Sequence, residues 1–196
     1  MVHLKIDSAH SAVSFVVKHM MFAKVRGNFG QFEGTINFDE SAPANSSVNV
    51  TVDATSIDTK EPNRDGHLKS NDFFGTDTNP ALTFVSTSVE PKGDDLMIHG
   101  DLTMNGVTKP IVLEAEFNGK GQSPMGVEVY SFSAEGKVKR SDFGMNWNAA
   151  IETGGFLVSD EVKIEIEIEV EGIRGFAAGT LDPGLTDRFH FSMAME

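Results

Sequence analysis

The sequence predicts an all-β fold, an antiparallel sandwich or barrel of about eight strands, and three observations carry that expectation. Apolar and polar residues alternate with period 2 along much of the chain. Helical periodicity is scarce. Gly, Asn, Asp or Pro stands between most of the alternating runs. Successive side chains of a strand point to opposite faces, so this alternation gives one buried and one wet face. A parallel sheet needs crossover helices, and no stretch supplies them.

The elements follow in order. Val13, Phe15, Val17 and His19 share one face of the first run, and Phe32, Gly34, Ile36 and Phe38 share one face of the next. Between them, Met20 to Lys24 reads as a candidate single turn of helix. Val48, Val50, Val52 and Ala54 repeat the pattern. Arg64 to Phe74 holds a candidate short helix ending near Phe74-Gly75. Leu82 and Phe84 follow Pro80. Leu96, Ile98, Leu102 and Met104 alternate, with Gly100 where a barrel strand can bend sharply. Asn105-Gly106 is a strong hairpin signal, and after Pro110 the partner strand carries Ile111, Leu113, Ala115 and Phe117. Tyr130, Phe132, Ala134, Gly136 and Val138 form a further strand. The clearest runs from Val162 to Val170, where apolar and charged residues alternate at every step. Closure into a barrel would remove the edges so many strands leave open. An eight-stranded barrel is either filled by side chains or just wide enough for one ligand. From Gly172 onward neither period persists. Residues 1–171 therefore read as one domain, and residues 172–196 as a poorly ordered or extraneous tail in which Phe189, Phe191 and Met193 alternate.

Composition excludes several classes. The formal net charge is −13, and so acidic a surface repels phosphate backbones and anionic membranes; nucleic acid is not an expected partner. No apolar run approaches a membrane span, so the chain is not membrane-embedded. No signal pattern opens it: as it stands the protein is expected in the cytoplasm, or in the periplasm if Met1 heads a mature exported sequence. With no Cys, disulfides, thiolate metal sites and Cys nucleophiles are absent. The six His show no metal-ligand spacing, and no nucleophile elbow, phosphate loop or dinucleotide motif occurs. Neither a metal nor a cofactor is expected. Fifteen Phe against one Tyr and one Trp, with nine Met, read first as a packed core. His19 falls in phase with its apolar neighbours and reads first as a core histidine. Arg64, Asp65 and His67 cluster just after Ser56-Ile57-Asp58-Thr59, where Arg64 and Asp65 read first as a structural ion pair.

One set of motifs is more specific. His10-Ser11-Ala12-Val13-Ser14-Phe15, Lys18-His19-Met20 and Val25-Arg26-Gly27-Asn28-Phe29 resemble the opening of the YceI-like family of lipid-binding proteins. The resemblance continues through Ser56-Ile57-Asp58-Thr59, Arg64-Asp65-Gly66-His67-Leu68-Lys69, Pro80-Ala81-Leu82-Thr83-Phe84 and Gly100-Asp101-Leu102-Thr103-Met104-Asn105-Gly106. Arg140-Ser141-Asp142-Phe143-Gly144-Met145 and Val158-Ser159-Asp160-Glu161-Val162 complete it, over residues 4–171. It implies an extended lipocalin-like antiparallel barrel, usually a homodimer, with an elongated apolar tunnel for a polyisoprenoid, an isoprenoid quinone relative or a long fatty amide. No chemical step is implied. Phase then nominates Phe15, Val17, Ile36, Phe84, Leu102, Met104, Ile111, Leu113 and Phe132 as tunnel lining; His19, Arg64 and His67, the polar groups singled out above, are the head-group candidates. Two other readings compete. One is an enzyme on a small apolar substrate, with His19 and Asp65 or Asp58 as acid and base; the other is a filled barrel serving as a structural or stress-related module.

Overall fold

The computed structural model describes residues 1–152 and 154–173. Eleven strand segments form one antiparallel sheet: β1 (Val2–Ile6), β2 (Ala12–His19), β3 (Ala23–Phe29), β4 (Phe32–Phe38), β5 (Ser47–Asp53), β6 (Ile57–Asp58), β7 (Ala81–Lys92), β8 (Asp95–Met104), β9 (Val107–Gln122), β10 (Glu128–Lys139) and β11 (Val158–Gly172). The ring runs β1-β4-β5-β7-β8-β9-β10-β11 and closes by pairing β11 with β1. It is an eight-stranded up-and-down barrel.

Eleven segments make eight strands because three strands are each broken in two. β1 and β2 both pair with β11, at Leu4↔Gly172 and Val13↔Ile166, so they are collinear. β3 continues β4, and β6 continues β5, in the same way. A broken strand leaves main-chain groups without a ladder partner, and these must be satisfied elsewhere. Serines do this at two breaks. The Ser11 hydroxyl donates to Glu169 O (3.2 Å) and accepts from Glu169 N (2.9 Å). The Ser56 hydroxyl accepts from Gln31 N (3.0 Å) and donates to Asp53 O (2.6 Å), while Ser56 O accepts from Gly30 N (3.2 Å). Outside the first break, His10 Nδ1 sits 2.6 Å from the Asp7 carboxylate. That contact holds the Asp7 pKa below the usual carboxylate range and raises that of His10.

Where the structure departs from the expected boundaries, local chemistry explains it. β9 begins at Val107, not after Pro110: Pro110 pairs with Asp101 on β8, but on the other side pairing with β10 reaches only Leu113. Proline therefore sits where no N–H is asked for. Asn105 (φ 51°) and Gly106 (φ 72°) both adopt the left-handed region that a tight two-residue hairpin of this twist requires. β3, missed as a strand, starts at Ala23, so the expected turn of helix does not form and a non-helical turn spans only Met20 to Phe22. Gly27 hides its alternation: it faces inward opposite Phe15, whose ring occupies the space a Cβ would need.

The helix α1 (Pro62–Lys69) is shorter than expected and begins earlier. Pro62 suits its first position, and Glu61 caps it by accepting from Asn63 N and Arg64 N. Ser70 ends it, its hydroxyl and N–H both donating to His67 O (2.7 and 3.1 Å). The strand β11 runs through Gly172, one residue past the expected boundary, and Ile173 N donates to His3 O. The rest of the expected tail, including Phe189, Phe191 and Met193, lies outside the described residues.

Candidate ligand cavity

The two ends of the barrel differ. At one end, beside the β9–β10 turn, Phe38, Phe117, Tyr130 and Phe132 pack with centroid separations of 5.1–6.3 Å. Such offset and edge-on contacts fill space densely, and burial pushes the Tyr130 phenol pKa up. This end is plugged.

Toward the other end the barrel is hollow. A cavity of about 520 Å³ runs along its axis, within the range of small-molecule sites. Phe15, Val17, Ile36, Phe84, Leu102, Met104, Ile111, Leu113 and Phe132 all line it, as do His19, Arg64 and His67. Packing of the Phe and Met residues thus surrounds a void instead of filling it. Two inward glycines help shape the wall: the Phe15 ring lies over Gly27 and the Phe84 ring over Gly100. The β7–β8 register shifts between Ser86 and Ser88, beside Gly100, so the expected bend there is a bulge on the neighbouring strand.

The charged and histidine lining gathers at the hollow end. Arg64 donates from Nε to the Thr59 hydroxyl and from Nη2 to Thr59 O, both at 2.7 Å. Buried Thr59 in turn donates its N–H (2.9 Å) and hydroxyl (2.5 Å) to the Asp65 carboxylate. The expected Arg64–Asp65 pair is thus joined through Thr59, which fixes the guanidinium at the rim. Asp65 is occupied as a brace. Asp58 is held by Lys60, whose contacts keep its carboxyl below the usual range. Neither carboxylate forms a dyad with His19, which ends β2 opposite Ala23. His67 Nε2 lies 2.8 Å from the Asp72 carboxylate, and its ring stands edge-on to Phe73 (5.1 Å) and Trp147 (4.6 Å). The wall reaches the surface at Asn63 and Arg64, which line the cavity and are exposed.

Several lining residues escaped the sequence reading. Val162, Ile164 and Ile166 line the cavity from β11; their alternation was the clearest in the chain, and the same phase argument nominates them. Phe73, Trp147 and Arg140 gave no periodic signal, because they sit in irregular segments. Arg140 is buried, yet its hydrogen bonds go only to main-chain carbonyls, Ser159 O (3.0 Å), Met145 O (2.6 Å), Trp147 O (2.8 Å) and Val158 O (3.4 Å), while its guanidinium lies 6.0 Å from the centroid of the Phe73 ring. Burial lowers its pKa from the ordinary value, against the pull of Asp160. It staples the 140–147 segment to the start of β11 and so frames the cavity end.

Comparison with known proteins agrees with this architecture. Protein YceI of Escherichia coli O17:K52:H18 is 46% identical over 172 residues, covering 87% of this chain and 86% of that protein. Protein YceI of Salmonella newport is 43% identical over the same span. Burkholderia cenocepacia BcnA superposes with a TM-score of 0.74 at 27% identity, covering 84% of this chain and 98% of its own. A polyisoprenoid binding domain from Saccharophagus degradans, implicated in plant cell wall breakdown, shares the fold at 17% identity (TM-score 0.61; 88% and 100% covered). Residues 4–170 match the YceI-like domain, and with a barrel plugged at one end, hollow at the other and built on the same motifs, this chain belongs to the YceI-like family.

Proposed function

We propose that the barrel binds one long-chain apolar lipid, a polyisoprenoid or an isoprenoid quinone relative, and carries or stores it without a chemical step. The supporting observation is the cavity: about 520 Å³, walled almost wholly by aliphatic and aromatic side chains, with its histidines and arginines (His19, Arg64, His67 and Arg140) at the hollow end. An apolar tail in such a space leaves water at about 0.8 kcal/mol per CH₂, or roughly 4 kcal/mol gross for each five-carbon unit. Rotor freezing and association costs offset much of this. Affinity is therefore expected to climb with tail length until the cavity is full, while head-group changes matter less. Competition against a fluorescent lipid reads this directly, and mass spectrometry of an organic extract of the purified protein should show a stoichiometric long-chain lipid. Affinity flat with chain length would remove the reading. The polyisoprenoid-binding fold neighbour lends it support, as does the resemblance in sequence motifs.

The same reading includes a homodimer. Val112, 39% exposed on the outer face of β9, offers apolar contact there. Sedimentation equilibrium at micromolar concentration is expected to show twice the 21.2 kDa chain mass. A pure monomer would argue against it.

A further inference from the structure

We propose that the hollow end of the barrel docks on a lipid bilayer, inserting Met21, Phe22 and Phe156 beside the cavity mouth. Two loops bring these side chains together. Met20 N donates to Leu157 O (2.8 Å), and Met21 Sδ lies over Gly155, in the space a Cβ would take. Met21 is 64% exposed, Phe22 81% and Phe156 65%. The patch continues into the cavity wall, since His19, Leu157 and Val158 line the cavity directly behind it.

Three features say what covers this tip. First, Met20 (φ 50°) and Met21 (φ 71°) hold left-handed backbone that glycine would adopt without strain, yet Met21, apart from its contact with Gly155, leaves 64% of its surface exposed. Packing on one glycine is a small return for a strained, exposed apolar side chain. Second, Lys18 and Lys24 lie directly opposite each other at the base of the turn, both exposed. Like charges so placed repel, and in a chain of net charge −13 two adjacent cations match lipid phosphates lying just above inserted side chains. Glu152, on the second loop, is exposed and carries the opposite charge, so the two lysines are only partly offset there. Third, the tip is small. Phe side chains bury roughly 150–250 Å² each, so two Phe and a Met fall well short of the roughly 800 Å² each partner brings to a stable protein interface. A bilayer asks for no matching shape.

The proposal rests on the lipid-carrier reading for its purpose but not for its geometry, and the two are tested apart. Flotation with phosphatidylcholine vesicles is expected to carry the wild-type protein upward. The double variant Phe22→Ser/Phe156→Ser should lose at least about tenfold of that partition. Met125→Ser, a control at the plugged end where Met125 is 82% exposed, should lose none. Binding of a fluorescent prenyl lipid without vesicles should be equal in all three, which also reports that they are folded. A wild type that binds the prenyl lipid but stays off the vesicles overturns the docking and leaves the carrier reading standing. A wild type that floats but takes up no prenyl lipid does the reverse. Equal loss in Met125→Ser overturns the assignment of the tip. So does a solution dimer that the double variant dissociates, with no flotation of either, because the tip would then cover a second copy of the chain.

Discussion

Arg140→Met is expected to lower the thermal unfolding midpoint by roughly 6–20 °C. Methionine keeps the apolar stem but ends two atoms short of the terminal guanidinium nitrogens, so the carbonyls of Met145, Trp147 and Ser159 lose the donor that holds them, while Val158 O keeps only Asn148 Nδ2. Swapping a buried ion for an apolar group is tolerated when its partners are replaced too; main-chain carbonyls cannot be replaced. A buried acceptor left without its donor costs about 1–3 kcal/mol, so two or three stranded carbonyls together cost about 3–5 kcal/mol once some relax toward water. For a domain of this size each kcal/mol moves the midpoint by about 2–4 °C. Arg140→Lys should fall between, because an ammonium has three donors and no planar fork. Trp147, whose carbonyl is one of those that lose the donor, should report the loosening by its fluorescence. A midpoint for Arg140→Met within about 2 °C of the parent would show that the staple is not needed.

The second large effect concerns the cavity wall. Leu102 is buried and lines the cavity, as does Ile111 on the adjacent strand. Leu102→Arg and Ile111→Arg each place a guanidinium where an apolar tail would lie. An unpaired buried charge costs several kcal/mol, so prenyl-lipid affinity is expected to fall by at least about 100-fold, tenfold for every 1.4 kcal/mol. Thr103 and Glu114 are controls on the outer faces of β8 and β9. The Thr103 hydroxyl meets that of Thr108 at 2.8 Å on the surface, and the Glu114 carboxylate lies 3.8 Å from Lys92. Thr103→Arg and Glu114→Arg lose only such exposed contacts, worth little, and affinity should stay within about twofold of wild type. Circular dichroism separates lost binding from lost fold. If Thr103→Arg weakens binding as much as Leu102→Arg in folded protein, the inner face has been assigned to the wrong phase.

The inner face was legible because a strand's period is two. Once Val13, Phe15 and Val17 were in phase, so was His19, and the structure lines the cavity with all four. The same phase assigned Leu102 and Met104 on β8, and Ile111 and Leu113 on β9, across the Asn105-Gly106 turn. Strand ends were less legible. Pro110 looked like a break, and only the shortfall of β10 beside it makes a proline tolerable there. β3 went unseen because Gly27 interrupts its alternation, and the Phe15 ring that fills the gap comes from another strand.

What the sequence by itself determined was the all-β class, the inward and outward faces of most strands, and the motifs shared with the family. All of these are local: they depend on residue type at a spacing of two, or on a contiguous run. What only the tertiary structure decided was whether the interior is filled. The same Phe-rich composition packs Phe38, Phe117, Tyr130 and Phe132 into a plug at one end and leaves about 520 Å³ empty behind Phe15 and Phe84. It also decided the rim. Arg64 and Asp65 are neighbours in sequence but meet through Thr59, and Arg140 finds carbonyls up to nineteen residues away. Cavity volume and the partners of a buried charge follow from how strands and loops distant in sequence close around one another, and no residue spacing encodes that.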